Sequence, residues 1–519
     1  MFILLPIVLL TLTALALLLL RGIRPVFRFP WLVAAGGVLV TWLSILLWHS
    51  RIPITLRLPL WRPVSLFPDS PTFLVDAVSW PYAISLATLL LGVILTAVAR
   101  GNFPHPLAWA GAIMLSTLGL LAVLADNPVT LVLAWAALDL VELVTVLRSV
   151  DEPHLSENAV TAFAAKALGI VALLWANVVN IASGAPPAFH SMTSKAGIYL
   201  LLAAGLRLGV LPLHLPYTPE SALRRGFGTT LRLVSAASSL ILLARISPES
   251  LLLTPLNPLL IALVTLAALY GGWNWLRAPN ELIGRPYLMI STAALATIAA
   301  LGGSPLGAIG WGCALLLSGG ALFLHSSQHP LPRYSLLIGG IWGLSALPFS
   351  PTAAAWQNTT LPFFFWPFLI VVQAFVLAGY LRHVQRARTT FPSSLPPGGQ
   401  VVYPTGVLLP VILHLSLGLW GWEGARMIGH WWVGLTATLL ALGITWPGSR
   451  LSFLQPRAHW VRPTNRPWLD GLYRVLGGLY RLIRAIGNLA ARVLEGEGGI
   501  LWTLLFLTLF ISLLSRGGQ

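Results

Sequence analysis

Runs of about twenty consecutive apolar residues recur from one end of this chain to the other, separated by short stretches of proline, glycine and arginine. Each run is long enough to cross a hydrocarbon core roughly 30 Å thick as a helix. Where no water reaches the backbone, every N–H and C=O must be satisfied within its own segment, so such a chain folds as an all-α, polytopic membrane protein. About sixteen spans can be counted. They lie near 2–20, 30–48, 73–99, 105–125, 127–148, 158–182, 195–215, 226–247, 251–272, 286–303, 305–325, 333–356, 361–383, 401–421, 428–446 and 498–515. Hydrophobic residues make up 57% of the 519 positions and charged residues 9%, which rules out a water-facing surface of ordinary composition.

The first run lacks a small-residue cleavage site and is followed by Arg21, Arg24 and Arg28, so it reads as a retained helix. Cys313, the single cysteine, lies in an apolar run and reads as a packed thiol; no disulfide can form within the chain. The net charge of +16 would suit a nucleic-acid binder, but the arginines fall where a membrane protein puts them. Arg21, Arg24, Arg28, Arg100, Arg148, Arg224, Arg225, Arg277, Arg285, Arg333, Arg382, Arg386, Arg388, Arg450 and Arg457 follow odd-numbered spans. Arg51, Arg57, Arg62, Lys195, Arg245 and Arg426 follow even-numbered ones. The excess predicts cytoplasmic odd loops, with both termini outside. No nucleic-acid module is visible.

Between spans two and three, Ile52 to Leu66 alternates apolar and polar residues, predicting a short exterior β-hairpin. Prolines interrupt span seven at Leu211-Pro212-Leu213-His214-Leu215-Pro216 and span twelve at Leu347-Pro348-Phe349-Ser350-Pro351. Broken helices at matching places suggest two inverted five-helix repeats, spans four to eight and nine to thirteen, although prolines that merely end helices would look the same. From Trp468 to Leu494, apolar residues at helical spacing alternate with arginines, predicting an amphipathic lateral helix before the last span. The expected organisation is 1–104, N-terminal helices with the hairpin; 105–250, the first repeat; 251–385, a degenerate second repeat; 386–450, C-terminal helices; and 451–519, the lateral helix and final span.

An ionisable residue at lipid depth costs about 2.5 to 3.5 kcal/mol on the insertion scale, so such residues are expected to face the protein interior and to mark function. Six stand out: Asp139 and Glu142 in span five, Lys166 in span six, Arg207 and His214 in span seven, and Arg232 in span eight. Asp139 and Glu142, three apart, lie on one helix face, where they can share a proton or pair with a cation from the next span. A carboxylate beside a buried lysine is a natural proton-transfer couple, but the same residues would serve as a fixed ion pair holding helices together. Glu142 could also reach the interface beside Arg148, and His214 could be a packing histidine. Of the 31 basic side chains only Lys166 and Lys195 are lysines. Arginine holds its proton, whereas a buried lysine gives it up readily.

Several stretches together resemble the antiporter-like, proton-conducting membrane subunits shared by respiratory complex I, membrane-bound hydrogenases and Mrp-type sodium/proton antiporters. They are Phe73 to Ser79 at the start of span three, Asn127-Pro128 through Trp135 at the start of span five, Gly205 through His214 in the broken span seven, and Arg285 to Ser291 opening span ten. The likeness covers roughly 70 to 450, and the amphipathic segment with the final span resembles the lateral helix of longer family members. The departures are specific. The family's glutamate after the span-five tryptophan is Ala136 here, with Asp139 one turn on. Its span-seven lysine is Arg207, and Arg232 stands near its span-eight lysine or histidine. The basic groups of spans eleven and twelve are missing around Cys313 to Phe323 and after Pro351, where Ala354, Ala355, Trp356 and Gln357 follow.

The resemblance implies a multi-pass subunit of the prokaryotic inner membrane, working beside other membrane subunits and taking part in proton or sodium movement coupled to electron transfer elsewhere. Asp139, Glu142 and Lys166 would be relay groups, Arg207 a fixed charge that biases them, and His214 the exit toward the membrane centre. Two alternatives remain: a non-conducting structural subunit, which the missing second-repeat lysines favour, and the membrane partner of a zinc protein in a bicarbonate-uptake assembly. No nucleotide, flavin, iron-sulfur or zinc motif is visible, so cofactors and redox chemistry are expected in partner subunits.

Overall fold

A computed structural model describes residues 2–448 apart from 24–28, 60–69, 100–105, 150–152, 217–222, 224, 253–255, 329, 357–358, 387–388, 391–396 and 427–429. The described residues belong to one compact unit drawn from 1–60 and 69–456. The amphipathic segment 468–494 and the final span 498–515 lie outside the described residues.

Helix α1 (Leu4–Ile23) packs on α2 (Pro30–Trp48), and both leave much of their leucine-rich surface outward. Strand β1 (Ile54–Arg57) pairs antiparallel with β2 (Thr72–Val75), with Ile54 opposite Val75. The alternating segment forms a strand over Ile54–Arg57, and the partner it pairs with lies beyond Leu66. The partner is Thr72–Val75, the start of what read as span three, and the helix α3 (Ser79–Thr96) begins only after it. Asn127 explains the pull: its amide donates to the Ser70 carbonyl, and Thr130 Oγ1 accepts from Thr72 N–H at 2.8 Å, tying the strand to the start of the fifth helix.

The chain continues through α4 (Pro106–Leu124), α5 (Pro128–Ser149), α6 (Pro153–Ala182) and α7 (Ser194–Leu208). Span seven stops at Leu208. Gly209 takes φ +73°, a left-handed conformation open to glycine, and the chain turns back through Leu211-Pro212 so that His214 N–H bonds to the Gly209 carbonyl. Then come α8 (Arg225–Arg245), the short α9 (Pro248–Leu252), α10 (Asn257–Arg277) and α11 (Glu281–Leu301). Helix α11 starts five residues before the expected span, capped by Asn280, and so draws Arg285 inside a helix where it is fully buried instead of in a loop.

Helix α12 (Pro305–Ala314) runs through a π-helical turn, Leu315–Gly319, into α13 (Gly320–Leu324). The expected span twelve is broken: α14 (Pro330–Ser335), a second π turn (Leu336–Gly340), α15 (Ile341–Leu344), a loop, and a 3₁₀ turn (Pro351–Trp356). After α16 (Trp366–Gln385), α17 (Pro397–Ser416) ends in a third π turn (Leu417–Gly421), followed by α18 (Glu423–Arg426) and α19 (Trp431–Gly448). Twelve helices among the described residues are long and apolar enough to cross a membrane.

Helix α8 is buried along nearly its whole length, packed by α3, α4, α5 and α7 and also by α11, α12 and α13. Tryptophans staple neighbouring helices: the indole N–H of Trp31 donates to Ile94 O, Trp80 to Ile45 O, Trp135 to Ser238 O and Trp275 to Val376 O, each within 3.1 Å. In lipid, where no hydrophobic force pulls helices together, such interhelical bonds and close packing hold the bundle. Three of the arginines expected on odd loops meet where α10 ends and α11 begins. Arg225 pairs with Glu281 at 2.8 Å, and Arg382 and Arg386 donate to the carbonyls of Leu276, Ala278 and Pro279 that end α10.

Candidate functional site: a buried charge cluster on α5 to α8

Trp135, Asp139 and Glu142 are spaced i, i+4, i+7 along α5, and Arg232, Ser235 and Ser239 are spaced i, i+3, i+7 along α8, so each trio lies on one helix face. Between these faces come Lys166 from the middle of α6 and Arg207 from the last turn of α7. Asp139, Lys166, Arg207 and Arg232 are each at most 2% exposed, and Glu142 is 8%.

Arg207 grips Asp139 with both ends of its guanidinium, Nη1 to Oδ2 at 2.5 Å and Nη2 to Oδ1 at 2.8 Å. Its Nε donates to Ser239 Oγ at 3.1 Å, and its guanidinium carbon lies 4.2 Å from the centre of the Trp135 ring. Planar bidentate pairing and stacking on an aromatic face are what arginine does and lysine does not. Room for the stem comes from Gly169 on α6, where a Cβ would stand 2.6 Å from Arg207 Cγ. Lys166 Nζ donates to Glu142 Oε2 at 2.6 Å and to Ser235 Oγ at 2.8 Å, and Arg232 Nη1 approaches Glu142 Oε1 at 3.7 Å. The carboxylates thus do not share a proton-sized gap. Each faces its own cation.

Five of the six ionisable residues singled out in the sequence meet here; His214 does not. It sits past the break on the loop after α7, its Nδ1 2.7 Å from the Pro212 carbonyl. Glu142 turns to Lys166 and not to the membrane edge. Trp135, Ser235 and Ser239 escaped the sequence reading as site residues, although the polar stripe at helical spacing around Arg232 was there to find. A small cleft of ≈ 20 Å³ lies beside the cluster, lined by Asp139, Glu142, Lys166 and Arg232 and, farther along, by Val146 and Ala159. The latter two lie near where α5 ends and α6 begins, so the cleft extends from the charges toward that end of the two helices.

No protein-family model matches the sequence, and no curated protein matches it. Solved structures do. A chain of the Mrp complex from Dietzia sp. DQ12-45-1b matches with TM-score 0.70 and 16% identity over 100% of this chain. A chain of the membrane-bound sulfane sulfur reductase, an archaeal respiratory membrane complex, matches with TM-score 0.63 and 15% identity over 97% of this chain and 99% of that one. A chain of respiratory complex I from Thermus thermophilus matches with TM-score 0.56 and 19% identity over 80% of this chain and 97% of that one. The chain shares the backbone fold of these three chains. It spans 63% of the length of the Mrp chain. At these identities the likeness is one of backbone.

Proposed function

We propose that this chain is an antiporter-like subunit of a multi-subunit, redox-driven membrane assembly, in which the α5 to α8 cluster takes part in moving protons. The observation that carries this reading is the place of Lys166, a buried lysine held by Glu142 and Ser235 that lines the cleft beside the cluster. Arginine keeps its proton whereas a buried lysine can give one up, so Lys166 is the cation of the cluster suited to passing a proton on. Both carboxylates already hold cations, which favours a proton over sodium as the mobile species. Arg207, locked on Asp139, supplies a fixed charge beside the lysine.

One observation favours a non-conducting, structural subunit instead. The Arg207–Asp139 pair is bidentate, buried and braced by Ser239 and Trp135, the geometry of a permanent clasp. The two readings part in liposomes holding the purified assembly, with native chain, Lys166→Ala and Asp139→Asn compared at matched assembly and electron-transfer rate. A lower number of protons pumped per electron supports conduction; unchanged pumping with intact assembly leaves the structural role.

A further inference from the structure

The three π turns converge on a histidine that the α5 to α8 cluster does not involve. His414, in the last turn of α17 before its π turn, is fully buried, and its Nδ1 lies 2.7 Å from Ser318 Oγ inside the π turn that joins α12 to α13. The ring rests against Gly343, just past the π turn between α14 and α15, where a Cβ would overlap it. Its Nε2 is buried and without a hydrogen-bond partner. An imidazole nitrogen left without a partner at membrane depth is costly unless something polar visits it, and π turns free backbone groups and cluster at functional sites.

From Gly343 a line of neutral polar groups leads into the break in span twelve. Thr352 Oγ1 donates to the Gly343 carbonyl at 2.8 Å and lies 3.2 Å from Ser350 Oγ. Both belong to the break in span twelve, where Ala346 and Phe349 take φ of 54° and 66° and Phe349 reaches the surface. Non-glycine residues held in that region are strained, and such strain collects at working sites. Tyr380 donates to the Ser318 carbonyl at 3.2 Å and closes the opposite side.

We propose that His414 is a second protonatable site, filled and emptied by a proton that water carries through the 345–352 break. The proton adds to the free lone pair of Nε2, and the imidazolium then donates from Nδ1 to Ser318 Oγ. Among the described residues, the titratable side chains on elements packed against α17 are Tyr82 on α3 and Arg333 and Tyr334, both exposed, on α14; Tyr380 of α16 reaches Ser318, and α17 itself adds Tyr403, hydrogen-bonded to His325. None of these is a carboxylate. The site is thus built of groups that neither hold the proton permanently nor repel it, and it does not depend on the α5 to α8 cluster.

The test is deuterium exchange at the imidazole carbon between the two nitrogens, read by mass spectrometry on the full chain in nanodiscs. The rate reports both water access and protonation, and it needs no pumping. Exposed His190 and buried His383, whose Nε2 lies 3.1 Å from the Trp275 carbonyl, serve as fast and slow references in the same spectra. His414 is expected to exchange within about tenfold of His190, and Thr352→Val to slow it about tenfold while leaving both references unchanged. Exchange of His414 no faster than that of His383 overturns the proposal, as does a Thr352→Val protein in which His414 exchanges as before. A Ser318→Ala variant, with the ring's second contact removed, changes the His414 rate if the pair is a protonation unit; an unchanged rate counts against it.

Discussion

The backbone carbonyl of Lys166 accepts a hydrogen bond from Arg207 Nη1 at 3.3 Å, so the Asp139–Arg207 pair and the Glu142–Lys166 pair are joined at a single residue. The charge state of Lys166 and the position of the arginine clasp are therefore felt together.

Lys166→Arg separates charge from proton release. The longer guanidinium keeps a cation opposite Glu142, and assembly should survive, but the group no longer deprotonates. Proton flux into liposomes should fall at least about tenfold, while Lys166→Ala lowers both flux and assembly yield. Flux at the native level in Lys166→Arg would remove the lysine from the pathway.

Breaking the clasp from one side leaves an unpaired buried charge. Asp139→Leu or Arg207→Met alone should each destabilise the protein by about 3–5 kcal/mol, and the double variant should recover much of that loss. Thermal unfolding in detergent measures all three. Additive losses in the double variant would mean that the pair is not the stabilising unit.

How much of this could be read from residues alone depended on which residues carry a period. The spans were legible because a bilayer imposes one length on every helix, and Asp139, Glu142, Lys166, Arg207 and Arg232 were legible because charge at lipid depth is costly anywhere. Pairing was not: nothing in the string says that Asp139 takes Arg207 and Glu142 takes Lys166, since that follows from the rotation of four helices. His214 was singled out because it lies within the apolar run read as span seven, but the helix ends at Leu208 and Gly209 turns the chain before it. His414 and Ser318 went unnoticed since each is an ordinary polar residue in an apolar run, made unusual only by π turns that leave no mark on composition. The strand partner Thr72–Val75 was hidden by its own hydrophobicity, which reads as helix in a membrane chain.

Gly169→Ala tests the fit of the arginine stem. Its Cβ would stand 2.6 Å from Arg207 Cγ and 3.0 Å from the Ala203 carbonyl, so α6 and α7 must part or the guanidinium must leave Asp139. A loss of about 1–3 kcal/mol is expected in thermal unfolding, larger than for Gly36→Ala on the outward face of α2, where nothing stands within 4 Å.

Asp76 fastens the first turn of α3. Its Oδ1 accepts from Val78 N–H, Ser79 N–H and Ser79 Oγ, and its carboxylate meets Arg245 of α8 at 3.1 Å. Asp76→Ala should cost about 1–2 kcal/mol, and Asp76→Asn less, because the amide oxygen still caps. Protease nicking between β2 and α3, followed in nanodiscs, should rise in the alanine variant and not in the asparagine one.

Because α8 is enclosed from both sides, it carries Arg232 and Ser235 toward one set of helices and turns its other faces to α11, α12 and α13. A helix so enclosed cannot be handed to either portion of the chain: expressed as two polypeptides divided after Arg245, the leading piece would expose to lipid a surface bearing threonine and serine, and the trailing piece would lack a wall. The protein has to be inserted and assembled as a single mechanical body, and a shift of that one rod is felt at the same moment on both sides of it.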